Sequence, residues 1–146
     1  MGAALINRID HVGLAVHDLD AAIAFYERTF GMTVVHEEVN EEQGVREAML
    51  AIGDSGSCIQ LLAPLREDSP IGKFLARNGE GIQQMAYNVD DIDAISAHLR
   101  DAGVRLLYDA PKRGTANSRI NFVHPKDAGG VLIELVESAP DGHGTH

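Results

Sequence analysis

One stretch of this chain recurs, and that recurrence limits the fold more than any other feature. Asp10-His11-Val12-Gly13-Leu14-Ala15-Val16-His17-Asp18-Leu19-Asp20 aligns with Gln83-Gln84-Met85-Ala86-Tyr87-Asn88-Val89-Asp90-Asp91-Ile92-Asp93 at a constant separation of 73 residues. In both copies alternate residues are apolar (Val12, Leu14, Val16; Met85, Tyr87, Val89), and the residues between them are small or polar (His11, Gly13, Ala15; Gln84, Ala86, Asn88). Alternation of period two is the signature of a strand with two unlike faces. The apolar face is expected to pack on a helix and the other face to open onto a cavity.

A helix follows each strand. Asp20 and Asp93 are read as the residues that open helices over 21–30 and 94–102, each stopped by a glycine, Gly31 or Gly103. Ile23, Tyr26 and Phe30, like Ile95, Leu99 and Ala102, recur at helical spacing and predict one buried stripe per helix. Three short strands come next in each half, over 33–38, 46–52 and 58–62, then over 104–108, 119–123 and 131–136. The last strands also match, Ile59-Gln60-Leu61-Leu62 with Ile133-Glu134-Leu135-Val136, now at a separation of 74. The predicted class is α+β: two tandem βαβββ modules, about 6–63 and 80–137, forming one domain over 6–137 with a curved mixed sheet around a cavity. The linker over 63–81 contains Pro64, Pro70 and a short helix over 71–77. The tail over 138–146 reads as disordered, which sets aside its histidines, His143 and His146, as ligands.

Twelve basic against 22 acidic residues give a net charge of −10, which excludes a broad nucleic-acid surface and turns attention to small molecules. No apolar run approaches the roughly 18 residues that cross a bilayer, and the first residues lack the form of a secretion signal. A soluble cytoplasmic chain with neither a nucleic-acid nor a membrane partner is expected. The single cysteine, Cys58, rules out an internal disulfide framework and reads as a small buried hydrophobe. Lys112, Arg113, Arg119 and Lys126 share a stretch poor in acids that either holds an anionic ligand or is a solvated loop.

The repeat superposes His11 on Gln84 and Gln60 on Glu134, so a rough two-fold between modules would gather all four. Each sits on a strand among apolar neighbours, where an unpaired polar group costs about 1–3 kcal/mol. A divalent cation would satisfy them together. One imidazole, two amide oxygens and one carboxylate favour a harder octahedral ion such as Co²⁺, Mn²⁺, Mg²⁺ or Ni²⁺ over closed structural zinc. Glu47 shares a strand face with Val45, Met49 and Ala51. It is either a proton-transfer group whose pKa burial raises, or half of a salt bridge with Arg46 or Arg119.

The segments Ile9-Asp10-His11-Val12-Gly13, Glu38-Val39-Asn40-Glu41-Glu42-Gln43-Gly44-Val45-Arg46-Glu47 and Ile59-Gln60-Leu61-Leu62-Ala63-Pro64 carry a family resemblance. Leu106-Leu107-Tyr108-Asp109-Ala110-Pro111, Ser118-Arg119-Ile120-Asn121-Phe122-Val123-His124-Pro125-Lys126 and Leu132-Ile133-Glu134-Leu135 extend it over nearly all of 6–137. On these the chain resembles the vicinal-oxygen-chelate superfamily and, within it, the methylmalonyl-CoA epimerases. The resemblance implies metal ligation by His11, Gln60, Gln84 and Glu134, with Glu47 and Glu134 as the acid/base pair. It also implies an acyl-CoA substrate whose phosphates meet Lys112, Arg113, Arg119 and Lys126, and a homodimer. Such epimerases usually carry His-His where this chain has Gln83-Gln84, so an amide replaces the second imidazole. The rival activities are a glyoxalase-type lyase and a metal-free small-molecule binding or resistance protein of the same fold.

Overall fold

The structure is a computed structural model that describes residues 5–140. His143, His146 and the tail beyond Pro140 therefore lie outside the described residues. The described residues form two compact units, His11–Gln83 and residues 84–140 together with residues 5–10.

The first unit takes strand β1 (Arg8–Ala15) from His11 on, helix α1 (Leu19–Phe30), strands β2 (Thr33–Asn40), β3 (Val45–Ala51) and β4 (Cys58–Pro64), and helix α2 (Pro70–Asn78). Its strands lie in the order β2-β3-β4-β1, with β1 parallel to β4 and the other pairs antiparallel. The second has β5 (Gly81–Asn88), α3 (Ile92–Asp101), β6 (Lys112–Arg113), β7 (Arg119–Val123) and β8 (Ile133–Glu137), in the order β5-β8-β7-β6. Here β5 is parallel to β8, and β7 is antiparallel to both β8 and β6. The repeat survives in single hydrogen bonds: Val16 N donates to Leu62 O and Val89 N to Val136 O, both at 2.9 Å. Each unit is thus strand, helix and further strands on the duplicated plan. Among the described residues no helix is long and apolar enough to cross a membrane.

Both cover helices begin earlier than expected. Asp18 and Asp91, not Asp20 and Asp93, are the caps, accepting from Ala21 N and Ala94 N at 3.0 Å. The earlier start moves the buried stripe. Leu19, Ala22, Ile23 and Tyr26 pack on Val16, Leu50, Ile59 and Leu61, and Ile92, Ile95 and Leu99 pack on Val89, Val123 and Leu135. Phe30 and Ala102, expected in those stripes, fall one turn beyond them and are exposed. Phe30 instead meets the rings of Phe25 and Tyr26 at 5.8 and 5.7 Å between centres. The linker helix is present as α2, capped by Ser69, with Ile71 and Leu75 packed on Ala15, Val45 and Leu62.

The strand expected over 104–108 is a correction. Only the bridge Leu106–Val123 remains of it. The Asn121 side chain takes the place of ladder bonds: its Nδ2 donates to Tyr108 O at 3.0 Å and its Oδ1 accepts from Tyr108 N at 3.1 Å. Arg100 also donates to the carbonyls of Tyr108 and Asp109. Asp127, in the short turn Pro125–Asp127, clamps the start of this segment through Arg105 N, Nε and Nη2 at 2.9–3.0 Å.

The hydrogen bonds from Arg105 lower the Asp127 pKa from 3.8 to about 2. A depressed carboxylate stabilises the fold above its unfolded pKa, and that contribution disappears as pH falls through the folded value. The stability advantage of wild type over Arg105→Gln should therefore be full at neutral pH and shrink between about pH 4 and 2. Chemical denaturation across that range checks it, and a gap independent of pH contradicts it.

Candidate active site

In the unit His11–Gln83 the register sets which side chains share a face. Cross-strand partners point to the same side, so His11 with Cys58, Gly13 with Gln60, Met49 with Gln60 and Glu47 with Leu62 define one surface. The opposite surface is the apolar one under α1. His11, Gln60 and Glu47 are only 2%, 3% and 5% exposed. Gln60 Nε2 donates to Glu47 Oε2 at 3.2 Å, a diagonal contact between neighbouring strands. Gly13 places no side chain beside Gln60. Cys58 is buried, as expected.

The second unit has a corresponding surface. Ala86 and Phe122 flank Glu134 in register, and Gln84 Nε2 donates to Glu134 Oε1 at 2.5 Å. Gln84 and Glu134 are each 6% exposed. Ala86, the repeat mate of Gly13, again puts a small residue beside the functional position. Each unit thus buries one carboxylate of this kind against a glutamine amide. A third buried acid, Asp10, differs: Arg8 lies at 3.5 Å and Asn88 donates to it at 3.0 Å, which ties down the N-terminal stretch.

The amide contacts decide orientation. A carboxylate only accepts, so each glutamine must turn its nitrogen toward it, and the planar amide then aims its oxygen elsewhere. Those oxygens are the hard donors a divalent ion takes, and with the His11 imidazole and Glu134 carboxylate they suit such an ion chemically. Among the described residues no three His, Cys, Asp or Glu side chains gather as metal ligands. His11 and Glu134 are the only members of the expected set of those types.

The salt-bridge alternative for Glu47 gives way to other pairings. Arg46 points to the helix side and reaches Asp20 at 3.4 Å. Arg119 binds Asp93 at 3.1 Å and Glu137 at 3.4 Å, and the Asp93 hydrogen bond is the main cause of its raised pKa. Lys112 lies on the Ile120 side of β6, with its Nζ 4.4 Å from the centre of the Tyr108 ring. Tyr108 stands edge-on to Phe122, the register neighbour of Glu134. Arg113 faces the other way, beside Arg119, and Lys126 lies past the far end of β7. The basic stretch is therefore spread over several surfaces.

Two residues on the Glu47 surface were missed by sequence reasoning. β2 bulges between Val34 and His36, and past the bulge His36 lies opposite Met49 and Glu38 opposite Glu47. The turn before Gly44 holds the readable signal, since pairing Asn40 with Val45 across it already sets Glu38 against Glu47.

Loss of the Gln60 amide leaves Glu47 buried without that donor. Gln60→Leu should lower the unfolding free energy by about 1–3 kcal/mol, and adding Glu47→Leu should recover part of it. Urea unfolding of both single variants and the double measures the coupling; strictly additive losses contradict the pairing.

The sequence model of the Glyoxalase/Bleomycin resistance protein/Dioxygenase superfamily matches residues 10–122. The chain is 40% identical over 133 residues to the ethylmalonyl-CoA/methylmalonyl-CoA epimerase of Cereibacter sphaeroides, covering 90% of this chain and 98% of that one. It is similar to the crystal structure of methylmalonyl-CoA epimerase from Mycobacterium tuberculosis, with 59% identity, a TM-score of 0.93 and coverage of 97% and 94%. A variant of the Streptomyces coelicolor methylmalonyl-CoA epimerase in complex with 2-nitronate-propionyl-CoA gives 58% identity, a TM-score of 0.89 and coverage of 92% and 99%.

Proposed function

The chain belongs to the Glyoxalase/Bleomycin resistance protein/Dioxygenase superfamily, and on that premise we propose that it interconverts (2R)- and (2S)-methylmalonyl-CoA, with Glu47 and Glu134 as its two bases. The observation that carries this reading is the pair of buried carboxylates, each held by a glutamine amide on a strand face. The epimerases among its relatives support the substrate.

Inversion at C2 of a malonyl thioester removes a weakly acidic C–H on one side and returns a proton on the other. Glu47 takes the proton from one face while protonated Glu134 delivers from the opposite face; the reverse direction exchanges their roles. Each step of this kind contributes about 10²–10⁴ in rate. Gln60 ties one oxygen of Glu47 and Gln84 one oxygen of Glu134, which restrains both carboxylates for the transfer. Burial of both groups excludes bulk water from the proton transfers.

His11, Gln60, Gln84 and Glu134 are the ligand set we assign to a divalent ion, Co²⁺ first, with Mn²⁺, Mg²⁺ and Ni²⁺ as alternatives. Such an ion supplies Lewis-acid stabilisation of the negative charge that develops beside C2, worth several kcal/mol. For the CoA phosphates Lys112, Arg113, Arg119 and Lys126 are the candidates, of which Arg119 also serves Asp93 and Glu137. The exposed Phe25 and Phe30 of α1 support a homodimer as the working assembly, and a cytoplasmic location completes the reading.

The purified chain should epimerise methylmalonyl-CoA, and Glu47→Gln or Glu134→Gln should lower kcat by about 10²–10⁴-fold. Elemental analysis should find a divalent ion, and Gln84→His should retain it more firmly against dialysis. Turnover of a glutathione hemithioacetal without any epimerisation contradicts the substrate. Tight ligand binding without turnover favours a binding protein, and full activity in metal-stripped protein contradicts the Lewis-acid role.

A further inference from the structure

The surface of the first unit that carries Glu47 and Gln60 continues onto β2, the outer strand of the order β2-β3-β4-β1. Continuing the Thr33–Ala51 and Val34–Leu50 register without interruption would set Val35 and Glu37 on that surface and turn His36 and Glu38 to the side of α1. The bulge at Val34/His36 inserts one residue and reverses the assignment, placing His36 opposite Met49 and Glu38 opposite Glu47. Bulges of this kind re-aim side chains next to functional positions. His36 Nε2 lies 2.6 Å from Glu38 Oε1, and the side chains are 34% and 13% exposed. The register thus sets Glu38 opposite buried Glu47, and Glu38 in turn contacts a histidine that meets solvent.

We infer that Glu38 and His36 form a proton-exchange path that resets Glu47 between turnovers. The inference rests on Glu47 being one of the two bases proposed above. Each two-base turnover leaves the accepting carboxyl protonated and the donating one ionised, so both must exchange a proton before the same direction can run again. Glu47 is 5% exposed and needs an intermediary to water. Directly opposed residues of antiparallel strands hold their Cβ atoms about 4.5–5.5 Å apart, within range for two glutamate side chains to share a proton. A proton leaves a Glu47 carboxyl oxygen for Glu38; Glu38 Oε1 passes one to His36 Nε2; His36 Nδ1 releases one to water. Every hop moves one proton and no electrons, and the reverse sequence reloads Glu47.

The other groups on this surface within the unit do not offer the same exit. β1 and β4 contribute His11, Cys58 and Gln60, all buried. α2 contributes Ile71 and Leu75. Arg46 lies on the opposite surface with Asp20. A His–Glu pair on an open edge strand is ordinarily worth little to stability. Here the bulge spends a break in the ladder to align that pair with a buried carboxylate.

The test follows a C2 deuteron. Each epimer of [2-²H]methylmalonyl-CoA is incubated with wild type, Glu38→Gln and His36→Gln in ordinary water. At low conversion, mass spectrometry gives the ratio of label lost from recovered substrate to product formed. Glu47→Gln identifies the epimer whose deuteron Glu47 removes, as the one whose exchange stops. For that epimer both variants should lower the ratio several-fold, and for the other epimer they should leave it unchanged. A structural role would instead change both epimers alike, and that result overturns the path. An unchanged ratio in both variants, with Glu47→Gln still blocking one epimer, overturns the path and leaves the base assignment standing. Exchange of both epimers by Glu47→Gln removes the base assignment, and the path with it.

Discussion

A carboxylate buried on a strand face must find a donor or it destabilises the sheet that carries it. Glu47 and Glu134 meet that demand with the amides of Gln60 and Gln84, and much of the architecture follows from it. The strand surface that holds each pair faces away from α1 and α3, and on the Glu47 side α2 packs on Ala15, Val45 and Leu62. Apolar residues therefore concentrate on the other side, where Leu14, Val16, Leu50 and Leu61 meet α1, and Val89, Val123 and Leu135 meet α3. Gly13 and Ala86 keep the polar surface free of bulk beside Gln60 and Glu134. The same amide contacts that stabilise the carboxylates also turn the amide oxygens away from them.

The two units share a plan but differ in chemistry. His11 becomes Gln84 in the second copy and Gln60 becomes Glu134, while the helix caps Asp18 and Asp91 and the buried stripes beginning at Leu19 and Ile92 stay matched. The duplicated scaffold preserves whatever packing requires. The apolar face varies only among apolar or aromatic residues, Val12 with Met85 and Leu14 with Tyr87, whereas at polar-face positions an imidazole becomes an amide and an amide a carboxylate, which alters the donor set. The bulge in β2 extends the same economy to His36 and Glu38.

The strand alternation and the separations of 73 and 74 residues made the duplicated fold and the polar-face positions legible from the sequence. Helix starts were less legible, because Asp18, Asp20, Asp91 and Asp93 are all capable caps; burial of Leu19 and Ile92 selects the earlier one in each pair. The residues over 104–108 have strand-like composition, yet Asn121, an unremarked polar residue within β7, takes over the backbone of Tyr108. A bulge leaves no mark on local alternation, so the faces of His36 and Glu38 are legible only by pairing back from the turn before Gly44. Basic residues close in sequence also looked like one cluster, but successive residues of β6 point to opposite sides and Arg119 is occupied by two carboxylates.

The central claim is that two buried carboxylates serve opposite faces of one carbon. It is tested most directly by following solvent deuterium into C2 of each methylmalonyl-CoA epimer separately, in Glu47→Gln and in Glu134→Gln. The account predicts that each variant loses epimerisation, keeps exchange with one epimer, and that the surviving epimer differs between the two variants. Loss of exchange with both epimers in one variant, and undiminished exchange with both in the other, would contradict it and point to a single base.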